Sequence, residues 1–281
     1  MAPERISRIH VESITRRDGF VMASYHCHFF YELYFLEKGS CRFFIDNSFH
    51  DLQTGDFILI PPQMLHYTRY MFGDCRRTVI FFRQDDIEGL SGLMNRADFF
   101  STPRIVQVAP VYRERITSLL EQMLTEERIS DDFSSSILEL RLRELFLLCI
   151  RYGTILEDTP DIYTTDRQIL LAVRFMSEHF REKITSEEIA AAAGFTPSYL
   201  SRRFRECAGI GVHQYLTFLR LQQARMELLS TTDSITDIAL RCGFASSNYF
   251  KDAFQKQYGT SPRDYRKSRD GQLTTVSEIQ V

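Results

Sequence analysis

The chain has 281 residues, 44% hydrophobic and 25% charged, with a formal net charge of −3; this is ordinary for a globular protein and long enough for two domains, each with its own core. No apolar run approaches the roughly 20 residues that span a bilayer, and MAPERISRIH at the start lacks the apolar stretch of a signal peptide. Six scattered cysteines (Cys27, Cys41, Cys75, Cys149, Cys207, Cys242) without a C-x-x-C exclude zinc-finger and disulfide frameworks, so the expectation is a cytoplasmic protein with reduced thiols and no membrane partner.

The chain opens β-rich. Residues 25–39 read YHCHFFYELYFLEKG. His26, His28 and Glu32 have even numbers, as does Tyr34, so a regular strand would point all four to one side. Cys41–Asp46, Asp56–Ile60 and Thr78–Phe82 are runs of aromatic and β-branched residues, separated by turn signals such as Asp46-Asn47 and Thr54-Gly55-Asp56. Short strands this close together predict a β-barrel or sandwich over residues 1–109.

From Pro110 the period changes. Ile116, Leu119, Leu120, Met123 and Leu124 are spaced for one helix face, and Phe133–Tyr152 carries a wider stripe of Ile137, Leu138, Leu142, Leu145, Phe146, Cys149 and Ile150. Such a helix needs a surface to cover. Two are open: the protein's own sheet, and a second copy, which makes 110–152 a candidate dimerisation segment. On the second reading, Leu142→Glu with Leu145→Glu is expected to give monomers. Residues 153–166, GTILEDTPDIYTTD, read as a linker.

Charge divides along the same line. Residues 1–165 carry 18 Lys/Arg against 24 Asp/Glu, whereas 166–269 carry 16 against 11. A basic segment beside an acidic one suggests a nucleic-acid module attached to something else. Within the basic segment, 184–215 resembles 234–265. Ile189-Ala190 matches Ile238-Ala239, Gly194-Phe195 matches Gly243-Phe244, Tyr199 matches Tyr249, and Phe204 matches Phe254.

Each copy spells helix–turn–helix, over about 186–208 and 235–258. Thr185-x-x-Glu188 and Ser234-x-x-Asp237 are capping-box starts, Gly194 and Gly243 are stops, Thr196 caps ahead of Pro197, and Ser246 or Ser247 caps in the second copy. The outward positions of the second helices are Ser198, Tyr199, Ser201, Arg202 and Arg205, then Ser247, Asn248, Lys251, Asp252 and Gln255. Two copies with hydrogen-bonding residues on exposed second helices point to double-stranded DNA. Val212–Ser230 between them reads as one amphipathic helix.

Residues 167–269 resemble the DNA-binding domain of the AraC/XylS family of bacterial transcription regulators, most specifically through DIALRCGFASSNYFKDAFQKQYGTSPRDYRK. In that family the second helix of each unit contacts bases. By position this implies Ser198, Ser201 and Arg202, and Ser247, Asn248, Lys251 and Asp252; Asp252 departs from the basic residue of some members.

The first half resembles the family's cupin-like sensor domain. His26-x-His28-x3-Glu32-x6-Gly39 matches the first cupin motif, and Gly55-x5-Pro61-x4-His66 the second, with Gln63 where glycine is usual. The implied fold is multidomain: a cupin-like β-barrel with a helical dimerisation segment, then an all-α domain with two helix–turn–helix motifs. Three histidines and a carboxylate suit a divalent transition metal, so His26, His28, Glu32 and His66 are candidate ligands, and no other cofactor is expected. One reading is a metal-dependent cupin enzyme. The other is a barrel that senses a small molecule through some of His26, His28, Glu32, Tyr34, Arg42 and His66, groups that suit a sugar or organic acid. Histidines that merely satisfy local hydrogen bonds are a third. Fusion to the DNA-binding domain favours a homodimeric regulator without catalysis, meeting RNA polymerase if it activates.

Overall fold

The computed structural model describes residues 8–18, 20, 25–45, 47–71, 73–88, 90, 99–156 and 164–267. Asp46, residues 157–163 of the expected linker and residues 268–269 lie outside this set. The chain divides into two compact units, residues 1–22 with 27–161, and residues 162–281 with the short stretch 23–26.

The first unit holds two antiparallel sheets. One has six strands in the order β1 (His10–Arg16), β7 (Cys75–Phe82), β2 (Tyr31–Lys38), β5 (Asp56–Ile60), β8 (Arg104–Val108) and β9 (Gly153–Leu156). The other has three, β4 (Ser48–Gln53), β3 (Ser40–Ile45) and β6 (His66–Tyr70). Helices α1 (Pro110–Ile129) and α2 (Ser134–Tyr152) follow β8.

Both faces of the large sheet are buried. Leu33, Phe35, Phe57, Leu59, Ile80, Phe82, Val106 and Val108 share a core with Ile116, Leu119, Leu120 and Met123 of α1 and with Leu138, Leu142, Leu145 and Phe146 of α2. The alternate positions, Tyr34, Leu36, Ile58, Ile60, Val79 and Phe81, share a second core with Cys41, Phe43 and Ile45 of β3 and with Leu52 of β4. Two covered faces explain why β2, β5 and β7 read as nearly continuous apolar runs rather than as alternation. The result is three layers: helix pair, large sheet, small sheet.

Two expectations change here. The stripe on α2 splits between two faces. Leu142 and Leu145 are fully buried in the unit's own core, while Leu140 and Leu147 are 68% and 45% exposed, with Phe133, Ile137 and Ile150 also exposed. Leu142→Glu with Leu145→Glu would therefore break the fold of the unit rather than report on a dimer. The expected linker is also shorter. Gly153–Leu156 pairs antiparallel with β8, Val106 opposite Ile155, because β8 offers an open ladder and Thr154-Ile155-Leu156 suits a strand. At its other end, Thr164 already opens a helix.

The second unit is helical: α3 (Thr164–His179), α4 (Ser186–Ala192), α5 (Pro197–Ala208), α6 (Val212–Ser230), α7 (Ile235–Arg241), α8 (Ser247–Tyr258) and α9 (Pro262–Lys267). Local chemistry sets these bounds. Thr185 accepts from the Glu188 amide while Glu188 accepts from that of Thr185, a complete capping box. Thr196 caps α5 ahead of Pro197, and Ser246 caps α8 by accepting from the amides of Asn248 and Tyr249. Gly209 and Gly259 end α5 and α8 in the left-handed conformation. Inside, α4 and α7 bury Ile189-Ala190 and Ile238-Ala239; α5 and α8 bury Leu200 with Phe204 and Phe250 with Phe254. Glu227 of α6, buried, accepts from Arg241 Nε of α7 at 2.8 Å, which pins the start of the second helix–turn–helix to the central helix.

Candidate functional site

The turn that aims each second helix is built from a glycine. Gly243 has φ +87°, and a Cβ there would stand 2.5 Å from the Phe180 carbonyl oxygen. No side chain fits that turn without moving backbone. Beyond the turns, α5 and α8 show outer faces that fold energetics leaves unused. Ser198, Tyr199, Ser201, Arg202 and Arg205 are all exposed, as are Asn248, Lys251, Asp252 and Gln255; Ser247 is half-buried, 3.4 Å from Thr236 Oγ1 of α7. Arg202 lies over the Tyr199 ring, 5.3 Å to its centroid, and 4.0 Å from Glu206. Tyr249, which the sequence reading passed over, is 57% exposed at the position matching Tyr199. The internal repeat was the signal that could have found it.

In the first unit, the expected regular strand through 26–32 does not form. Glu32 lies on β2, whereas His28 precedes it in irregular chain that follows a bridge at His26. The groups converge even so. His28 Nε2 is 3.1 Å and His66 Nε2 3.3 Å from Glu32 Oε2, and all three residues are buried. The ligand atoms of these three residues lie within 4.8 Å of one another, while His26, the fourth candidate, falls in the short stretch grouped with the second unit. Burial opposes charge on Glu32, but hydrogen bonds and the field from the two imidazoles outweigh it and hold the carboxyl well below its usual range. Burial pushes the His28 imidazole the other way, toward its neutral form, by lowering its pKa.

Tyr34 and Arg42 part company. Tyr34 is buried in the core between the sheets, its hydroxyl 3.7 Å from Cys41 Sγ of β3. Arg42 faces away from that core, because the inward positions of β3 are 41, 43 and 45. Its guanidinium is spent on Asp51, at 2.5 and 2.6 Å. The inward arginine is Arg77 of β7, buried, with its guanidinium 5.4 Å from the Tyr34 ring centroid and 3.3 Å from Glu12. Burial works against its charge, but the fields of Tyr70, Glu32, Tyr34 and Glu12 outweigh that and raise its pKa. Sequence distance from the histidines had pointed to Arg42. The pairing of β2 with β7, more than forty residues apart, brings in Arg77 instead.

A family model described as an AraC-like ligand binding domain matches residues 9–146, and one described as a helix-turn-helix domain matches residues 189–268. The chain belongs to the AraC family. Among its relatives, the HTH-type transcriptional activator RhaS of Enterobacter sp. (strain 638) is 26% identical over 251 residues, covering 88% of this chain and 89% of that protein. A transcriptional regulator structure from Chromobacterium violaceum, with an AraC-type DNA-binding domain, is 30% identical over 38% of this chain and 96% of its own, at a TM-score of 0.36. The DNA-binding domain of AdpA, solved in complex with a target DNA, is 32% identical over 37% of this chain and 97% of its own, at a TM-score of 0.35. This AraC-family chain is accordingly a DNA-binding transcription regulator with a ligand-binding domain, and the relatives it matches are regulators rather than enzymes. Among its described residues no helix is long and apolar enough to cross a membrane, and its six cysteines form no disulfide, five of them being buried.

Proposed function

We propose that this regulator works as a homodimeric activator, switched by a sugar or small organic acid held between the sheets of its first unit. In this reading α5 and α8 enter successive major grooves of one DNA face. The observation that carries it is the pair of second helices with matching caps and polar, exposed outer faces. The 19 residues of α6 between them span roughly 28 Å, close to the ~34 Å of one duplex turn. Arg202 then reads a guanine edge and Asn248 an adenine. Ser198, Tyr199, Ser201, Arg205, Ser247 and Lys251 serve as further base or phosphate contacts.

Tyr34, Tyr70 and Arg77 on the inward faces of β2, β6 and β7 support a ligand with hydroxyl or carboxylate groups. Such a ligand shifts the regulator only by preferring one arrangement of the chain over another. The outer face of α2, with Phe133, Ile137, Leu140 and Leu147, supports pairing with the same face of a second copy. Activation, the role named for the RhaS relatives, implies contact with RNA polymerase.

Operator binding tests the core of the reading. Arg202→Ala is expected to weaken binding to the specific site by about 1–3 kcal/mol while leaving random duplex nearly unchanged. Equal loss on both would reduce Arg202 to a phosphate contact, and no preference for any duplex from its own genome would end the reading. For the dimer, Leu140→Glu with Leu147→Glu should sediment as folded monomer; an unchanged dimer rejects that face.

A further inference from the structure

Arginines on the strands of the first unit are used in two ways. Arg42 and Arg76 point away from the core between the sheets, and each gives both Nε and Nη2 to one carboxylate, Asp51 and Glu37 respectively. Two parallel N–H groups on one carboxylate are the strongest use of a guanidinium. Arg77 is aimed the other way and lacks it. It shares inward parity with Val79 and Phe81 and is 6% exposed. Its Nη2 lies 3.3 Å from Glu12, long for a charged pair, and its Nε is buried and donates to no described residue. Arg16 of β1 repeats the pattern. Ile14 stands opposite Arg77 in the pairing of β1 with β7, so Arg16, two residues on, shares that inward face as a diagonal neighbour of Arg77. The Arg16 Nε is also buried and donates to no described residue.

Aromatic rings fix both cations. The Arg77 guanidinium is 5.4 Å from the Tyr34 ring centroid and that of Arg16 is 4.3 Å from the centroid of Phe20, whose ring meets Tyr70 edge-on at 5.7 Å. Tyr70 pairs opposite Cys41, so its side chain faces between the sheets as well. Burial pushes its hydroxyl pKa up, against the fields of Arg77 and Arg16, so it stays a phenol that can donate. Arg16, Phe20 and Tyr70 are half-buried, whereas Arg77 and Tyr34 are buried; the group opens to solvent past Arg16 and Tyr70. The described charges gathered here are two guanidiniums and one carboxylate, that of Glu12. The Glu32 carboxylate is taken by His28 and His66.

Buried positive charge in excess of its partners calls for an anion, and guanidinium N–H groups match a carboxylate better than a neutral hydroxyl. We propose that Arg77 Nε and Arg16 Nε, with the Tyr70 hydroxyl, bind the carboxylate of a small organic acid. This rests on the reading that the first unit holds its effector between the sheets, and it narrows that effector to an acid over a neutral sugar.

The test uses the full chain and probes paired so that they differ at one carbon: acetate with acetamide, benzoate with benzamide, galacturonate with galactose. A carboxylate should raise the melting temperature where its neutral counterpart does not. Arg77→Gln and Arg77→Lys should weaken acid binding, read by calorimetry, roughly tenfold to a hundredfold; the lysine variant fails because a point charge cannot supply the guanidinium fork. Arg16→Gln should show a smaller loss in the same direction. Arg76→Gln, whose guanidinium is already spent on Glu37, should bind as the wild type does. If the Arg77 variants do not fold, Arg16→Gln and the wild-type comparison of acid with neutral probe decide. The proposal is overturned if no carboxylate probe stabilises the wild type, if each neutral counterpart binds as well as its acid, or if folded Arg77 and Arg16 variants bind the acid unchanged. Operator binding on the same samples separates this outcome from that of the effector reading. An acid that binds through Arg77 without altering operator affinity keeps the anion site and removes its regulatory role. Operator affinity that responds to galactose alone keeps the regulatory role and sinks the acid.

Discussion

Gly194 and Gly243 hold the same place in the two helix–turn–helix units, and both have positive φ, 70° and 87°. Their surroundings differ. A Cβ on Gly194 would meet only the tip of Gln168, at 3.8 Å, whereas one on Gly243 would run into the carbonyls of Phe180 and Arg181 and the guanidinium of Arg220. The outer faces differ as well. α5 presents Arg202 and Arg205, while α8 presents Lys251 beside Asp252. One folding pattern thus serves two environments: the second unit is anchored more tightly at its turn, and the first carries two arginines where the second carries a lysine and an aspartate.

The largest break in this comparison is Gly243→Ala. Left-handed strain together with a backbone overlap should cost on the order of 3 kcal/mol, read as a lower urea midpoint for the helical unit. Gly194→Ala should cost only about 1 kcal/mol; equal losses at the two sites would erase the difference. Cap removal sharpens it further. Ser246→Ala loses two accepted amides and Thr196→Ala one, so both should destabilise by about 1 kcal/mol, the serine more. The smallest effect belongs to Asp252→Ala on operator affinity, within about 0.5 kcal/mol or slightly tighter, since a carboxylate gains nothing near phosphate. A tenfold loss there would mean that Asp252 accepts from a cytosine, and the second unit would then be the stricter reader.

What could be read in advance was what neighbours in sequence decide. Thr185, Thr196 and Ser234 announce helix starts, and Gly194 and Gly243 announce stops, because each cap or turn is closed within four residues. Strands β1, β4, β6, β8 and β9 were missed, because their partners are far away: His10 pairs with Phe81, and Gly153 with Val108. The same distance hid Arg77 and promoted Arg42. Parity on β3 sends Arg42 outward, and nothing within that strand says which parity faces the core. On α2, spacing alone could not divide a stripe covering both Leu142 and Leu140, since a helix apolar on two sides has the same composition whichever side meets its own sheet. The gathering of His28, Glu32 and His66 was implied by the resemblance to the two cupin motifs, although the regular strand assumed to deliver part of it was not there.

Strand β9 is only four residues long and lies at the open edge of the large sheet, and it is the last described element of its unit before the chain continues toward α3. An edge so short is the least costly part of the sheet to peel away. Peeling it would pay out roughly 13 Å of extended chain while β8 and the helix pair keep their core. The unit thus carries a reel of slack at its exit, held by its pairing with β8 and by Ile155 packed against the core shared with the helices.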